Sequence, residues 1–172
     1  MMQRIFIGIP VAHHATLSLV EIQRNSLPSF ASHWVLPKHF HLTLGFLGPL
    51  SNEQITEIRK ALTSIQHKSF NMTFSHLEAC LPHYIGLCTD HIPEPLLALH
   101  KKIQTICEPY LPEKRLAFKP HITLVKHSPS MDFKADYTIP NLTLPANAFV
   151  LYASIKAMDD LDYQPLARFP LG

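Results

Sequence analysis

Apolar residues recur with regular spacing along nearly the whole chain. Ile5, Ile7 and Ile9 alternate with other residues, which predicts an opening strand that ends at Pro10. The next stretch, residues 13–25, carries apolar positions on one side and has no proline, so it predicts a helix. The chain is therefore expected to begin with a strand followed by a helix.

Two later segments show the clearest helical periodicity. Ser51 and Gln54 form a capping box, and the apolar residues after them repeat at intervals of three and four. Pro93 and Pro95 open a second segment in which residues 96–106 repeat the same spacing. Both segments are predicted to be amphipathic helices that cover a sheet.

The remaining regular segments have the period of strands. One strand is predicted over residues 39–47, ended by Gly48-Pro49, and others over residues 72–76, 84–88, 121–124, 149–155 and 164–169. The segment between the strands at 121–124 and 149–155 is rich in proline and polar residues and is predicted to be a link. Helix 13–25 lies between the first strand and the first His-x-Thr strand, and the helix that Pro93 and Pro95 open lies in the equivalent place before the second His-x-Thr strand. The order of elements therefore indicates an α+β fold of two related lobes.

One short motif occurs twice: His-Leu-Thr-Leu at residues 41–44 and His-Ile-Thr-Leu at residues 121–124. On a strand, the His and Thr of each copy point to one face and the residue between them points to the other, toward a core. A single His-x-Thr is common on strands and indicates little by itself. Two copies predict a duplicated unit in which two imidazoles face one cleft.

Paired imidazoles suit the cleavage of a phosphodiester. The attacking water must lose a proton while the leaving oxygen gains one, and a group with a pKa near 6.5 can do either. A hydroxyl beside each imidazole can bind the non-bridging phosphate oxygens. We therefore predict His41 and His121 as catalytic residues and Thr43 and Thr123 as substrate-binding residues, with no metal ion in the scheme.

Two alternatives bear on these residues. His39 and His41 form an H-x-H pair that would face one side of a strand as metal ligands, but no carboxylate or cysteine lies at a ligand-like spacing. Lys126 either reaches the phosphate from the rim of the cleft or is a solvated edge charge. No metal and no cofactor are expected.

Three aromatic residues are candidates for stacking on a nucleotide base, although packing in the core is the favoured interpretation of each. They are Trp34, Tyr84 and Phe118. The histidines outside the two motifs share no spacing and are expected to be ordinary surface or core residues.

Composition narrows the class of protein. With 172 residues, 47% of them hydrophobic, the chain is expected to form one folded domain over residues 1–172. A net charge of +2 is compatible with a phosphate ligand but too small for a duplex-binding surface. No segment resembles a signal peptide or a membrane span, so a cytoplasmic protein without a membrane partner is expected. Cys80, Cys88 and Cys107 lack C-x-x-C spacing and are predicted to be buried, reduced thiols.

The two motifs and their flanking sequences resemble the 2H phosphoesterase superfamily, and within it the RNA 2′,3′-cyclic phosphodiesterases, also called the 2′-5′ RNA ligase family. The resemblance extends over nearly the whole chain. It is carried by residues 4–9, 34–37, 40–48, 118–124 and 166–171.

This resemblance implies a bilobal fold with a pseudo-twofold axis, two antiparallel sheets with outer helices, and an active-site cleft between the lobes. It implies His41 as proton donor, His121 as proton acceptor, and Thr43 and Thr123 as phosphate ligands. Family members often have arginine where this chain has Lys126, and a lysine does not grip phosphate in the same bidentate way.

The implied reaction is hydrolysis of 2′,3′-cyclic phosphate ends of RNA, or of small cyclic nucleotides, to 2′-phosphomonoesters by a monomer without a cofactor. Alternatives are action on 2′-5′-linked oligonucleotides or on another small cyclic phosphate, and the reverse ligation at the same site. A non-catalytic RNA-binding module of the same fold is a further alternative. The two intact motifs argue against the last of these, because binding alone does not need paired proton carriers.

Overall fold

The structure is a computed structural model that describes residues 1–81, 83–128, 137–158 and 160–172. Its helices are α1 (Thr16–Ser26), α2 (Asn52–Leu62) and α3 (Glu94–Cys107). Its strands are β1 (Gln3–Pro10), β2 (His41–Leu50), β3 (Phe70–Leu81), β4 (Tyr84–Cys88), β5 (His121–Val125), β6 (Tyr137–Ala146), β7 (Ala148–Lys156) and β8 (Leu161–Pro170). The predicted α+β class is confirmed.

These strands form one antiparallel sheet in the order β6-β3-β4-β5-β2-β1-β7-β8. Counted outward from the centre, β2, β1, β7 and β8 form a first half, and β5, β4, β3 and β6 form a second half. Helix α1 connects β1 to β2, and α3 connects β4 to β5 in the equivalent place. This arrangement confirms two related lobes, each built on an antiparallel four-stranded unit.

The two halves meet at the centre of the repeated motif. β2 pairs with β5 at Leu42 and Ile122, the residues between the His and Thr of each copy, and both are buried. Next to this pair, Trp34 forms a bridge with Val125. The Gln23 side chain, buried in α1, donates to the carbonyls of residues 35 and 124 at 3.0 Å each. The two predicted sheets are thus joined into a continuous one.

The helices bury their apolar sides against the sheet as their spacing predicts. The capping box of α2 is present: the Gln54 amide donates to Ser51 Oγ at 3.3 Å, and the Ser51 amide donates to Gln54 Oε1 at 2.9 Å. Leu99 and Ile103 of α3 are fully buried, which stabilises the fold by roughly 1.5–3 kcal/mol for each side chain. Gln104 Nε2 also donates to the Leu44 carbonyl at 3.1 Å and so ties α3 to β2.

The bounds of β2 differ from the prediction at both ends. Residues Pro37–His39 form a 3₁₀ turn that starts at the proline, so the strand begins at His41 rather than His39. At the other end β2 continues to Leu50. Gly48, with φ of +74°, lies where the register with β1 shifts. Its left-handed conformation allows the strand to continue through Gly48-Pro49, where it was expected to end.

Strand β6 was predicted to be a link. It contains Pro140 and Pro145, which argue against a central strand because proline has no N–H to donate. β6 lies at the edge of the sheet and pairs with β3 alone among the described strands. An edge position tolerates both prolines, so the sequence pattern was misread.

Two further predictions concern the cysteines and membranes. Cys88 and Cys107 are buried and Cys80 is partly buried, and all three are free thiols. The prediction of buried thiols is therefore correct for two of the three. Each helix in the described ranges is too short or too polar to cross a bilayer.

Candidate active site

The two His-x-Thr motifs line one cleft. Since Leu42 and Ile122 point into the core, the His and Thr on either side of each project from the opposite face of the sheet. All four side chains line a cavity of about 430 Å³. Antiparallel pairing about Leu42 and Ile122 sets the histidine of each motif alongside the threonine of the other.

Both imidazoles are oriented by the same kind of hydrogen bond. His41 Nδ1 donates to the His39 carbonyl at 2.7 Å, and His121 Nδ1 donates to the Lys119 carbonyl at 2.9 Å. A carbonyl can only accept, so each ring carries a proton on Nδ1 and its Nε2 is left for the cleft. His41 Nε2 lies 3.0 Å from Thr43 Oγ1, which donates to it while the imidazole is neutral.

His41 lies among aromatic rings. The ring centroids of Phe6, Tyr163 and Tyr152 are 5.0, 5.4 and 6.2 Å from that of His41. Desolvation in these surroundings lowers the pKa of His41 to about 4, against a partial opposing effect of its hydrogen bond to the His39 carbonyl. In the ligand-free protein His41 is therefore neutral at pH 7.

His39 is engaged by a carboxylate from the far end of the sheet. Its Nε2 lies 2.8 Å from Asp162 Oδ1, and Lys38 Nζ lies 3.1 Å from the same oxygen. The hydrogen bond from His39, followed by that from Lys38, lowers the pKa of Asp162 to about 2. The alternative in which His39 and His41 form an H-x-H pair on one strand is not supported, because His39 belongs to a turn and its ring binds Asp162 instead.

Lys126 lies in the wall of the cleft. Its Nζ is 3.4 Å from Tyr163 Oη and 5.7 Å from the centroid of that ring. The Lys126 backbone amide donates to the His33 carbonyl at 3.0 Å, which fixes the chain just beyond β5. Lys126 therefore lies at the cleft, and its contact with a phosphate stays a prediction.

The three aromatic candidates for stacking, for each of which packing in the core is the favoured prediction, separate into two groups. Tyr84 lines the cleft. Trp34 instead donates from Nε1 to the Leu27 carbonyl at 2.9 Å, and Phe118 stacks on His100 with ring centroids 3.8 Å apart. For Trp34 and Phe118, packing within the protein is therefore the correct interpretation.

Several cleft residues were missed by sequence reasoning. Phe46 lies beyond the first motif on β2 and is 63% exposed. Tyr163 reaches the cleft because β8 pairs with β7 and β7 pairs with β1, and Arg4 reaches it because β1 pairs with β2. An aromatic residue close after the first His-x-Thr was the available signal for Phe46, whereas no local pattern marks the other two.

Comparisons with known proteins agree with this arrangement. The profile of the family described as LigT like Phosphoesterase matches residues 9–82. The RNA 2′,3′-cyclic phosphodiesterase of Escherichia coli (strain K12) is 26% identical over 175 residues, which cover 98% of this chain and 97% of the relative.

Solved structures support the same fold. E. coli LigT complexed with 3′-AMP has a TM-score of 0.86 at 24% identity and 99% coverage of both chains. A crystal structure of a phosphoesterase has a TM-score of 0.87 at 23% identity, again with 99% of each chain covered. The predicted bilobal fold is confirmed.

Proposed function

We propose that this chain, which is similar to the LigT-like phosphoesterases over residues 9–82 and to the E. coli RNA 2′,3′-cyclic phosphodiesterase over nearly its whole length, hydrolyses 2′,3′-cyclic phosphate ends of RNA, or small cyclic nucleotides, to 2′-phosphomonoesters. The observation that carries this proposal is the pairing of the two His-x-Thr units across one cleft. The name of the E. coli relative and the 3′-AMP bound by LigT support a nucleotide with phosphate at this end of the ribose.

His121 acts as the base and His41 as the acid. His121 Nε2 takes a proton from water while the water oxygen attacks phosphorus. The bond from phosphorus to the 3′ oxygen breaks, and that oxygen takes a proton from His41 Nε2. The products are a 2′-phosphate and a 3′-hydroxyl, and the two histidines return to their starting states by exchanging protons with solvent.

The acid role requires His41 to carry a second proton, on Nε2. In the free protein the His41 imidazole is neutral at pH 7, so it takes up the second proton from solvent when the substrate binds. Uptake is favoured because an anionic phosphate in the same desolvated site stabilises the imidazolium. Once Nε2 is protonated it no longer accepts from Thr43, and the Thr43 hydroxyl is released to donate to a phosphate oxygen. Substrate binding thus prepares both groups together.

The other cleft residues bind the substrate. Thr123 donates to a non-bridging oxygen in the same way as Thr43, and Lys126 neutralises part of the phosphate charge. Phe46 and Tyr84 offer ring faces on which the terminal base stacks. None of these interactions needs the base to be of one kind, which suits an enzyme that acts on RNA ends.

The direct test is turnover of purified protein on a nucleoside 2′,3′-cyclic phosphate and on an oligonucleotide with a cyclic-phosphate end. We expect a 2′-phosphate product, identified by phosphorus NMR. His41→Ala and His121→Ala should each lower kcat/KM by about 10²–10⁴-fold. The double variant should be little worse than either one, because the two groups act as a unit.

His91→Ala is the matched control, since His91 is exposed and lies outside the cleft. Near-normal rates in either catalytic variant would refute the acid-base assignment. A predominantly 3′-phosphate product would reverse the two roles. Binding of the cyclic phosphate without any turnover would favour an RNA-binding module.

A further inference from the structure

A second cluster of chemically active side chains lies on the hairpin of β3 and β4. Ligand atoms of His76, Glu78 and Cys88 all lie within 4.8 Å of one another. Cys80 Sγ is 3.7 Å from Cys88 Sγ. His76, Glu78 and Cys80 occupy alternate positions of β3, and Cys88 pairs with His76 from β4. Three potential ligands of a metal ion therefore meet on the hairpin, and the Cys80 thiol lies beside them in contact with Cys88.

We propose that these four residues form a zinc-binding site separate from the catalytic groups. Tetrahedral zinc with bonds of 2.3 Å to sulfur holds two thiolates about 3.8 Å apart. The two sulfurs are 3.7 Å apart. Zinc also holds a histidine nitrogen and a carboxylate oxygen about 3.4 Å apart. His76 Nε2 and Glu78 Oε2 are 3.2 Å apart.

The atoms that face away from this centre already have partners of the kind that support metal ligands. His76 Nδ1 lies 3.0 Å from Ser75 Oγ and 3.4 Å from an oxygen of Asp90. Glu78 Oε1 is bound by the ammonium group of Lys119, which leaves Oε2 for the metal. Outer contacts of this type fix the orientation of ligands and raise their basicity.

The charges also fit a divalent cation. Two thiolates and one carboxylate carry three negative charges, so zinc leaves one, and Lys119 lies in place to offset it. On binding, the thiol protons are released to solvent, and the proton on His76 resides on Nδ1, toward Ser75 and Asp90.

The cluster adjoins the second catalytic unit without being part of it. Cys88 pairs with His121 in the register of β4 and β5, and the Lys119 carbonyl orients the His121 ring. A metal ion here would cross-link β3 to β4, next to the strand β5 that carries the base. Its role would be to hold the second half of the sheet, since none of its ligands is among the residues that line the cleft.

The test is a zinc titration of the whole protein in competition with a chromophoric chelator, with a phosphine present to keep the thiols reduced. We expect one zinc ion per chain. Cys88→Ser and His76→Gln should each weaken binding by at least about 100-fold, more than the loss of an outer contact does. Cys107→Ser is the matched control, because Cys107 is a buried thiol in α3, and it should bind zinc as the wild type does.

Cobalt(II) gives a second measurement that needs no substitution in the site. Bound to wild type and to Cys107→Ser, it should show thiolate-to-cobalt charge-transfer absorption and the visible bands of a tetrahedral ion. Absence of these bands, or zinc affinity unchanged in Cys88→Ser, would overturn the proposal. Zinc binding that is lost in His41→Ala but kept in Cys88→Ser would place the ion in the cleft and overturn it equally.

Discussion

Binding of a phosphate anion should raise the pKa of His41 from its value of about 4 in the free protein. The perturbation is the addition of a 2′-phosphomonoester, the proposed product, which carries the anion without being turned over. The reasoning is electrostatic: desolvation now favours the neutral ring, and a negative charge in the same site favours the protonated one.

The magnitudes decide the outcome. A pKa of about 4 against an ordinary value of 6.5 corresponds to on the order of 3 kcal/mol against the charged form. An anion about 4 Å away contributes about 4 kcal/mol per unit charge at the effective dielectric of a protein surface. The attraction is thus large enough to offset the desolvation, and the bound-state pKa of His41 should return to about 6.5 or above.

The assay is NMR titration of the histidine ring signals with and without saturating 2′-phosphomonoester. Because the pKa rises on binding, the complex takes up a proton between pH 4 and the bound-state pKa, and anion affinity should increase as the pH falls through that window. Below pH 4 the free ring is already protonated, so the increase should stop. Calorimetry in buffers of different ionisation enthalpy measures the same proton uptake.

His100 is the internal control. Burial lowers its pKa as well, but it stacks on Phe118 outside the cleft, so its titration should not respond to the ligand. If His41 still titrates near pH 4 with the phosphate bound, it cannot donate a proton at neutral pH, and the proposed acid must be another group.

Three further predictions follow from contacts already described. Thr43→Ala and Thr123→Ala should each cost about 1–3 kcal/mol in kcat/KM, as for one lost hydrogen bond to a charged group, and unchanged kinetics would exclude phosphate contacts by these hydroxyls. Turnover should persist in EDTA, because the reacting groups are imidazoles and hydroxyls, and activity that is lost to EDTA and restored by zinc even in Cys88→Ser would require a metal in the chemistry. Gln23→Leu should lower the free energy of unfolding in urea by about 1–3 kcal/mol, since the partly buried Val35 carbonyl loses the donor that Gln23 supplies, whereas Gln3→Ala, which removes an exposed hydrogen bond, should not.

The parts of the fold that follow from local chemistry could be predicted from the sequence. α2 and α3 have apolar residues at helical spacing, and in α2 the cap between Ser51 and Gln54 forms as expected. The repeated motif correctly indicated two strands facing one cleft, because side-chain alternation on a strand is independent of what the strand pairs with.

The errors arose where position in the sheet overrides the local pattern. Pro140 and Pro145 argue against a strand only if both edges of that strand are paired, and β6 is the edge strand of the sheet formed by the described residues. Tyr163 contacts His41 and Asp162 contacts His39 although both are distant from these histidines in sequence, through strand pairings that no short pattern specifies. The ligands of the proposed zinc site have no sequence signature for the same reason: they lie at alternate residues of one strand and across the hairpin, not in a C-x-x-C loop.

The pairing of Leu42 with Ile122 makes the spacing of the two imidazoles independent of the shape of the cleft walls. The distance between the imidazoles depends on the packing of these two buried residues, at the point where the halves meet. The walls that would hold the rest of a substrate come from elsewhere, including β8 and the bend of β2 at Gly48. Evolution, or an engineer, can therefore reshape what the cleft admits by altering its periphery while the spacing of the reactive groups is inherited unchanged from the centre.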